Sequence, residues 1–116
     1  MKTAELTGAA LDWAVAKCEG VINGDDLDIG FIRERGYTPS TDWAQGGPII
    51  EREKITILYV DPDDEEPLVS EDCWTAGVPF AETGYTAQTP LIAAMRCYVA
   101  SKFGDDVDVP NELTEA

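Results

Sequence analysis

Residues 89–104, "TPLIAAMRCYVASKFG", decide the fold. Thr89 suits a helix N-cap, Pro90 suits the first turn because no N–H is needed there, and Gly104 suits the left-handed close. Around that helix, Leu91, Ile92, Met95, Val99 and Phe103 make a broad apolar face, with Ala93, Cys97, Ala100 and Ser101 opposite as a face of small side chains. A helix with so little charge on either side is expected to be packed on both. One side calls for a sheet, the other for a neighbouring helix or a second subunit.

Beyond it, "DVDVP" at 106–110 alternates like an edge strand that Pro110 ends. Upstream, "PIIEREKITILYV" reads as two short β segments, Ile49 to Arg52 and Ile55 to Val60. In the second, Ile55, Ile57 and Tyr59 alternate with Thr56, Leu58 and Val60, which predicts burial on both sides. A third strand is expected around Cys73 and Trp74, and the intervening "DPDDEEP" as a solvated acidic loop.

Near the N-terminus, Thr7 suits a cap for a helix that Gly20 closes. Leu11, Ala14, Val15 and Cys18 share one face, Asp12 and Glu19 lie at its edge, and Trp13 falls off the stripe, to be covered by another part of the chain or offered to a partner. Between Val21 and Ser40, "NGDDLDIG" and "ERGYTPS" are rich in turn residues, with at most a short strand or turn near Phe31. The fold class that follows is α+β, with two principal helices packed on a small antiparallel sheet and a long irregular segment between the first helix and the sheet. Residues 1–110 are expected to form this one domain, and 111–116 a disordered tail.

Composition excludes several functions. With 23 acidic and 8 basic residues among 116, a net charge of −15 disfavours direct nucleic-acid binding and an anionic membrane surface. It does suit a protein that imitates DNA toward a basic partner. There is no histidine, so Ser-His-Asp and Cys-His nucleophiles, His-ligated zinc and the usual proton shuttle near pH 7 are all missing. The three cysteines, Cys18, Cys73 and Cys97, are too widely spaced for a zinc knuckle and odd in number for a disulfide framework. No signal peptide or membrane span is visible, and the expected compartment is the cytoplasm. An EF-hand loop beginning at Asp61 fails because its sixth position is Glu66 rather than Gly. No metal site, cofactor or catalytic residue is expected.

The segment "PSTDWAQGGPII", 39–50, admits two readings. In one, backbone N–H groups around Gly46 and Gly47 form an anion-binding concavity. Ser40 and Thr41 then donate, Asp42 accepts from a sugar or base edge, and Trp43 stacks on a base. In the other, Ser40 and Asp42 bond their own turn, Gly46 and Gly47 supply positive φ, Pro48 sets up a strand and Trp43 fills the core. Arg96, on the margin of the last helix's apolar face, suits either a phosphate clamp or a carboxylate partner.

Three blocks in order, "LTGAALDWAVAK", "PSTDWAQGGPIIEREKI" and "TPLIAAMRCYVASKFGDDVDVP", resemble the NinX-like family of small proteins of tailed phages and prophages. The resemblance implies a phage accessory protein acting in the bacterial host cytoplasm, and it assigns no reaction. Among the roles it suggests is counter-defence, by sequestering a nucleotide signal. Joined to the loop, that suggests a non-enzymatic binder of a small anionic nucleotide-like ligand held by Ser40, Thr41, Asp42, Trp43, Gly46, Gly47, Pro48, Thr89 and Arg96. The small-residue helix face suggests a homo-oligomer. The alternative is an acidic DNA mimic that inhibits a host protein.

Overall fold

The computed structural model describes residues 2–20, 34, 36–60, 73–77 and 84–109. In chain order these form a 3-10 turn (Thr3–Glu5), α1 (Gly8–Glu19), α2 (Trp43–Glu53), β1 (Thr56–Val60), β2 (Cys73–Gly77), β3 (Tyr85–Ala87) and α3 (Pro90–Phe103). The strands form an antiparallel sheet in the order β1-β2-β3, with Leu58 opposite Thr75, Tyr59 opposite Trp74, and Thr75 opposite Thr86. This is the expected α+β arrangement, with one helix more than the sequence suggested. Phe31, most of the irregular segment, the "DPDDEEP" loop and residues 111–116 lie outside the described residues.

The helix at 90–103 organises everything else. Thr89 Oγ1 accepts the Ile92 N–H at 3.2 Å, Pro90 occupies the first turn, and the Gly104 N–H closes on the Ala100 carbonyl at 2.8 Å. α3 packs against all three strands, α1, α2 and the 3-10 turn. Leu91, Ala93, Ala94, Met95, Cys97, Tyr98 and Val99 are all buried, so both of its faces are covered. Ala93 and Cys97 are covered within the single chain, and that face does not by itself require a second subunit.

Helix α1 begins after Thr7, whose hydroxyl makes no capping bond, and ends on Gly20 at φ 73°. Trp13 is only 1% exposed: another part of the chain does cover it. The Lys17 ammonium lies 5.3 Å from the centroids of both Trp13 and Phe103. The chain start is pinned to the end of α3: Thr3 Oγ1 donates to the Gly104 carbonyl at 2.7 Å, and Lys2 bridges Asp106. That isolated bridge stands where an edge strand was expected at 106–110, and residues 107–109 are outside any strand.

Two further expectations are corrected. Ile49 to Arg52 belong to α2, not to a strand. Asp42 Oδ1 caps the helix by accepting the Ala44 N–H at 2.9 Å, and Gln45 Nε2 reaches back to Asp42 Oδ2 at 2.9 Å. These bonds supply partners for the helix start, and Gly46, Ile49, Ile50 and Glu53 then recur at helical spacing on the inner side. Pro48 sits inside the helix, where it forgoes an N–H bond to the Ala44 carbonyl and crowds that carbonyl with its ring. Nor is β1 buried on both sides. Leu58, on the face away from Ile57, is 59% exposed, and Tyr59, on the same face as Ile57 but further along the strand, is still 50% exposed, so α3 covers one face of β1 and only its first part.

At the C-terminal ends of the helices, Arg52 grips Glu19 with two bonds of 3.1 and 2.8 Å, and Tyr98 donates to Glu19 Oε2 at 2.7 Å. Burial raises the Glu19 pKa, but the Arg52 and Tyr98 bonds outweigh it and the net shift is downward. A lowered carboxyl pKa means this contribution to stability is full above the unfolded value of about 4.3 and is lost as pH falls through the folded value. Glu19→Gln is therefore expected to flatten the acid limb of the stability curve, as read by urea melts from pH 3 to 7.

Candidate functional site

The starts of α2 and α3 border one open cleft of about 220 Å³, lined by Ser40, Thr41, Trp43, Thr89, Pro90, Leu91 and Ile92. Its shape follows from Gly46. A Cβ there would collide with the Pro39 carbonyl oxygen and come within 2.6 Å of Leu91 Cδ1, so only glycine lets α2 approach the turn and α3 this closely.

The turn forming one wall is held from several directions. The Thr41 and Asp42 N–H groups donate to the Thr38 carbonyl at 3.1 and 2.9 Å. Gln45 Oε1 accepts the Thr38 N–H at 2.8 Å, and its Nε2 donates to the Gly36 carbonyl at 3.0 Å. From below, the Ser40 N–H donates to Asp12 Oδ1 at 2.9 Å. Asp12 is 4% exposed, and burial raises its pKa against the opposing effects of the Ser40 hydroxyl and N–H. The Ser40 Oγ lies close enough to act on that carboxyl, yet completes no hydrogen bond of full geometry.

The cleft is mainly apolar with hydroxyls at its edge. Trp43 is 54% exposed on the first turn of α2, so it does not fill the core. Thr89 Oγ1 already accepts from Ile92, which leaves its hydroxyl proton free to donate outward. Such a surface accommodates a flat ring against indole and an anionic group at the start of α3.

The structure thus brings Ser40, Thr41, Trp43 and Thr89 together, but not every residue the sequence singled out. Asp42 is occupied as the α2 cap. Gly46 and Gly47 are helical without positive φ, so no Gly-Gly anion nest forms, and Pro48 lies further along α2. Gly46 stands behind the cleft, while Gly47 and Pro48 are outside its lining.

Arg96 is also elsewhere. Its Nε donates to the Leu6 carbonyl and its Nη1 to the Thr86 carbonyl, both at 2.7 Å, and burial lowers its pKa. It ties the chain start to β3, in place of either a phosphate or a carboxylate partner. Arg96→Ala is expected to lower stability by about 2 kcal/mol, the scale of charged hydrogen bonds to backbone. Ligand binding by the folded fraction should be unchanged in calorimetry.

A second hollow of about 210 Å³ lies on the sheet, lined by Thr56, Leu58, Thr75, Ala76, Gly77 and Gly84. Among the described residues its lining has two hydroxyls and no ring or charge, so the chemistry favours the cleft. Among the described residues no His, Cys, Asp or Glu side chains gather into a metal-ligand group. No described helix is long and apolar enough to cross a membrane. Burial pushes the Cys18 thiol up to about 12, and the Tyr37 phenol also up to about 12, away from the neutral range where nucleophiles and general bases work.

The family model described as "Bacteriophage P22, NinX" matches residues 2–102, a span that includes the whole cleft. No curated protein matches the chain.

Proposed function

Because the chain belongs to the Bacteriophage P22 NinX family, we propose that it is a non-enzymatic phage accessory protein of counter-defence. In this reading it sequesters a small nucleotide-like anion in the bacterial cytoplasm. The observation that carries the reading is the exposed Trp43 at the start of α2, sharing one cleft with the start of α3, the Ser40 turn, and Thr41 and Thr89. Each part has a physical role. The indole stacks a base, and the Thr89 hydroxyl and Leu91 amide meet an anionic group, since Pro90 has no N–H and the Ile92 amide is bonded to Thr89.

At about 220 Å³ the cleft is smaller than the roughly 300 Å³ at the low end of ligand pockets, so part of a nucleotide would lie outside it over Trp43.

A second reading, the acidic DNA mimic, draws support from three described cations that are engaged within the protein. Arg52 pairs with Glu19 and Glu53, Lys102 lies 3.9 Å from Glu53, and Arg96 holds backbone carbonyls. Among the described residues Glu5, Glu34 and Glu51 remain exposed.

Salt separates the two. Calorimetric titration with a panel of mononucleotides and cyclic dinucleotides should give an affinity that holds or rises with added salt, because screening weakens repulsion from a protein of charge −15. Binding to a basic protein partner would instead weaken as salt rises. No heat with any nucleotide, combined with salt-sensitive capture of a basic protein, would replace the first reading with the second.

A further inference from the structure

We infer that Asp12 is a positioning residue for the cleft: its buried carboxylate fixes the Ser40 backbone and so sets the wall formed by Ser40 and Thr41. The inference deepens the ligand-cleft reading and rests on it for its functional consequence.

Asp12 stands on α1 among Leu11, Trp13, Ala14 and Val15, all essentially inaccessible. Burying a carboxylate in such company is unfavourable unless it is hydrogen-bonded, and an alanine would fill the position without that cost. What the carboxylate gains there is the Ser40 N–H at 2.9 Å, a bond spanning 28 positions of sequence. A charge-assisted acceptor of this kind is shorter and stronger than a neutral one.

Ser40 is itself 1% exposed and lines the cleft, and its Oγ beside Asp12 lacks a completed hydrogen bond. The two residues therefore form one unit. Asp12 fixes the Ser40 backbone, and the buried Ser40 hydroxyl stands beside the same carboxylate. Tyr37, from the segment leading into the same turn, feels the Asp12 charge, while Glu19, Cys18 and Arg52 act on Tyr37 as well.

The test uses the full chain and two readouts. In the unliganded protein, the Ser40 amide resonance should titrate together with the Asp12 carboxyl carbon, at one midpoint above the ordinary aspartate value. Separately, adenosine 5′-monophosphate and a cyclic dinucleotide serve as binding probes at pH 7. Asp12→Ala should weaken whichever probe binds by about tenfold or more, the scale of a lost charged hydrogen bond.

Asp12→Asn retains an acceptor oxygen, so it should recover most of that affinity while abolishing the titration at Ser40. A Ser40 amide that stays constant while Asp12 titrates would overturn the inference, as would an Asn variant no better than a folded Ala variant. If Asp12→Ala does not fold, the Asn variant and the wild-type titration still decide. If the wild type binds neither probe, the ligand reading fails for those probes, and the Ser40 titration still judges the positioning role.

Discussion

Gly46→Ala is expected to destabilise the protein by about 3 kcal/mol, the upper range for overpacking a tight contact. The added methyl would meet the Pro39 carbonyl oxygen, which belongs to the backbone and cannot rotate away, and Leu91 Cδ1 at 2.6 Å. Separating α2 from α3 to make room would also widen the cleft. The neighbouring Gly47 is the control, because a Cβ there meets nothing within 4 Å beyond its own helix. Gly47→Ala should change stability little, since the backbone entropy alanine saves is opposed by the crowding its Cβ meets from the ring of the following Pro48. Thermal melts should therefore separate the two variants widely. At roughly 4 °C per kcal/mol for a domain of this size, the Gly46 variant should melt about 12 °C lower. Equal behaviour of the two variants would mean that the approach of α2 to Pro39 and Leu91 is not as described.

Trp43→Ala is expected to weaken ligand binding by roughly 5- to 150-fold, the equivalent of about 1–3 kcal/mol of base stacking, while leaving the melting temperature almost unchanged. The asymmetry follows from exposure. Trp43 keeps more than half its surface in solvent and carries little of the core, whereas Trp13 is sealed within it. Trp13→Ala should cost about 3–5 kcal/mol and abolish binding only by unfolding the chain. Calorimetry alongside denaturation distinguishes the two tryptophans. A Trp43 variant that binds normally would remove the ring from the site.

Much of this arrangement was legible because helix punctuation is local. Thr89, Pro90 and Gly104 announce α3, and its lack of charge on either face announces that it is packed on both. Gly20 likewise marks the end of α1. α2 was hidden because Gly46, Gly47 and Pro48 carry the residue types of a turn. The overriding signal, Asp42 with Gln45 three residues on and a stripe of 46, 49, 50 and 53 that is buried at 46 and 49 and half-buried at 50 and 53, was present but weaker. Alternation in β1 showed a strand but neither that its Leu58 face is left open nor that the cover over the other face stops short of Tyr59.

At the cleft, Ser40, Thr41, Trp43 and Thr89 were legible as the polar and aromatic residues at two helix starts. Arg96 was not, since its partners are carbonyls 90 and 10 residues away and carbonyls have no sequence signature. Asp12 was missed for a related reason. At the edge of a helical stripe it looks solvated, and only the return of Ser40 across 28 residues buries it.

The central claim is that the cleft holds a nucleotide-like molecule intact. Native mass spectrometry of the protein, purified from bacteria in which a nucleotide-signalling defence has been triggered, tests it most directly when followed by denaturation and identification of what is released. The account predicts an added mass on the native protein, absent from the Trp43→Ala variant, released unchanged and carrying phosphate, with its ratio to chains giving the number of subunits per ligand. Wild-type protein that comes through without added mass, or that releases only cleaved products, would contradict it.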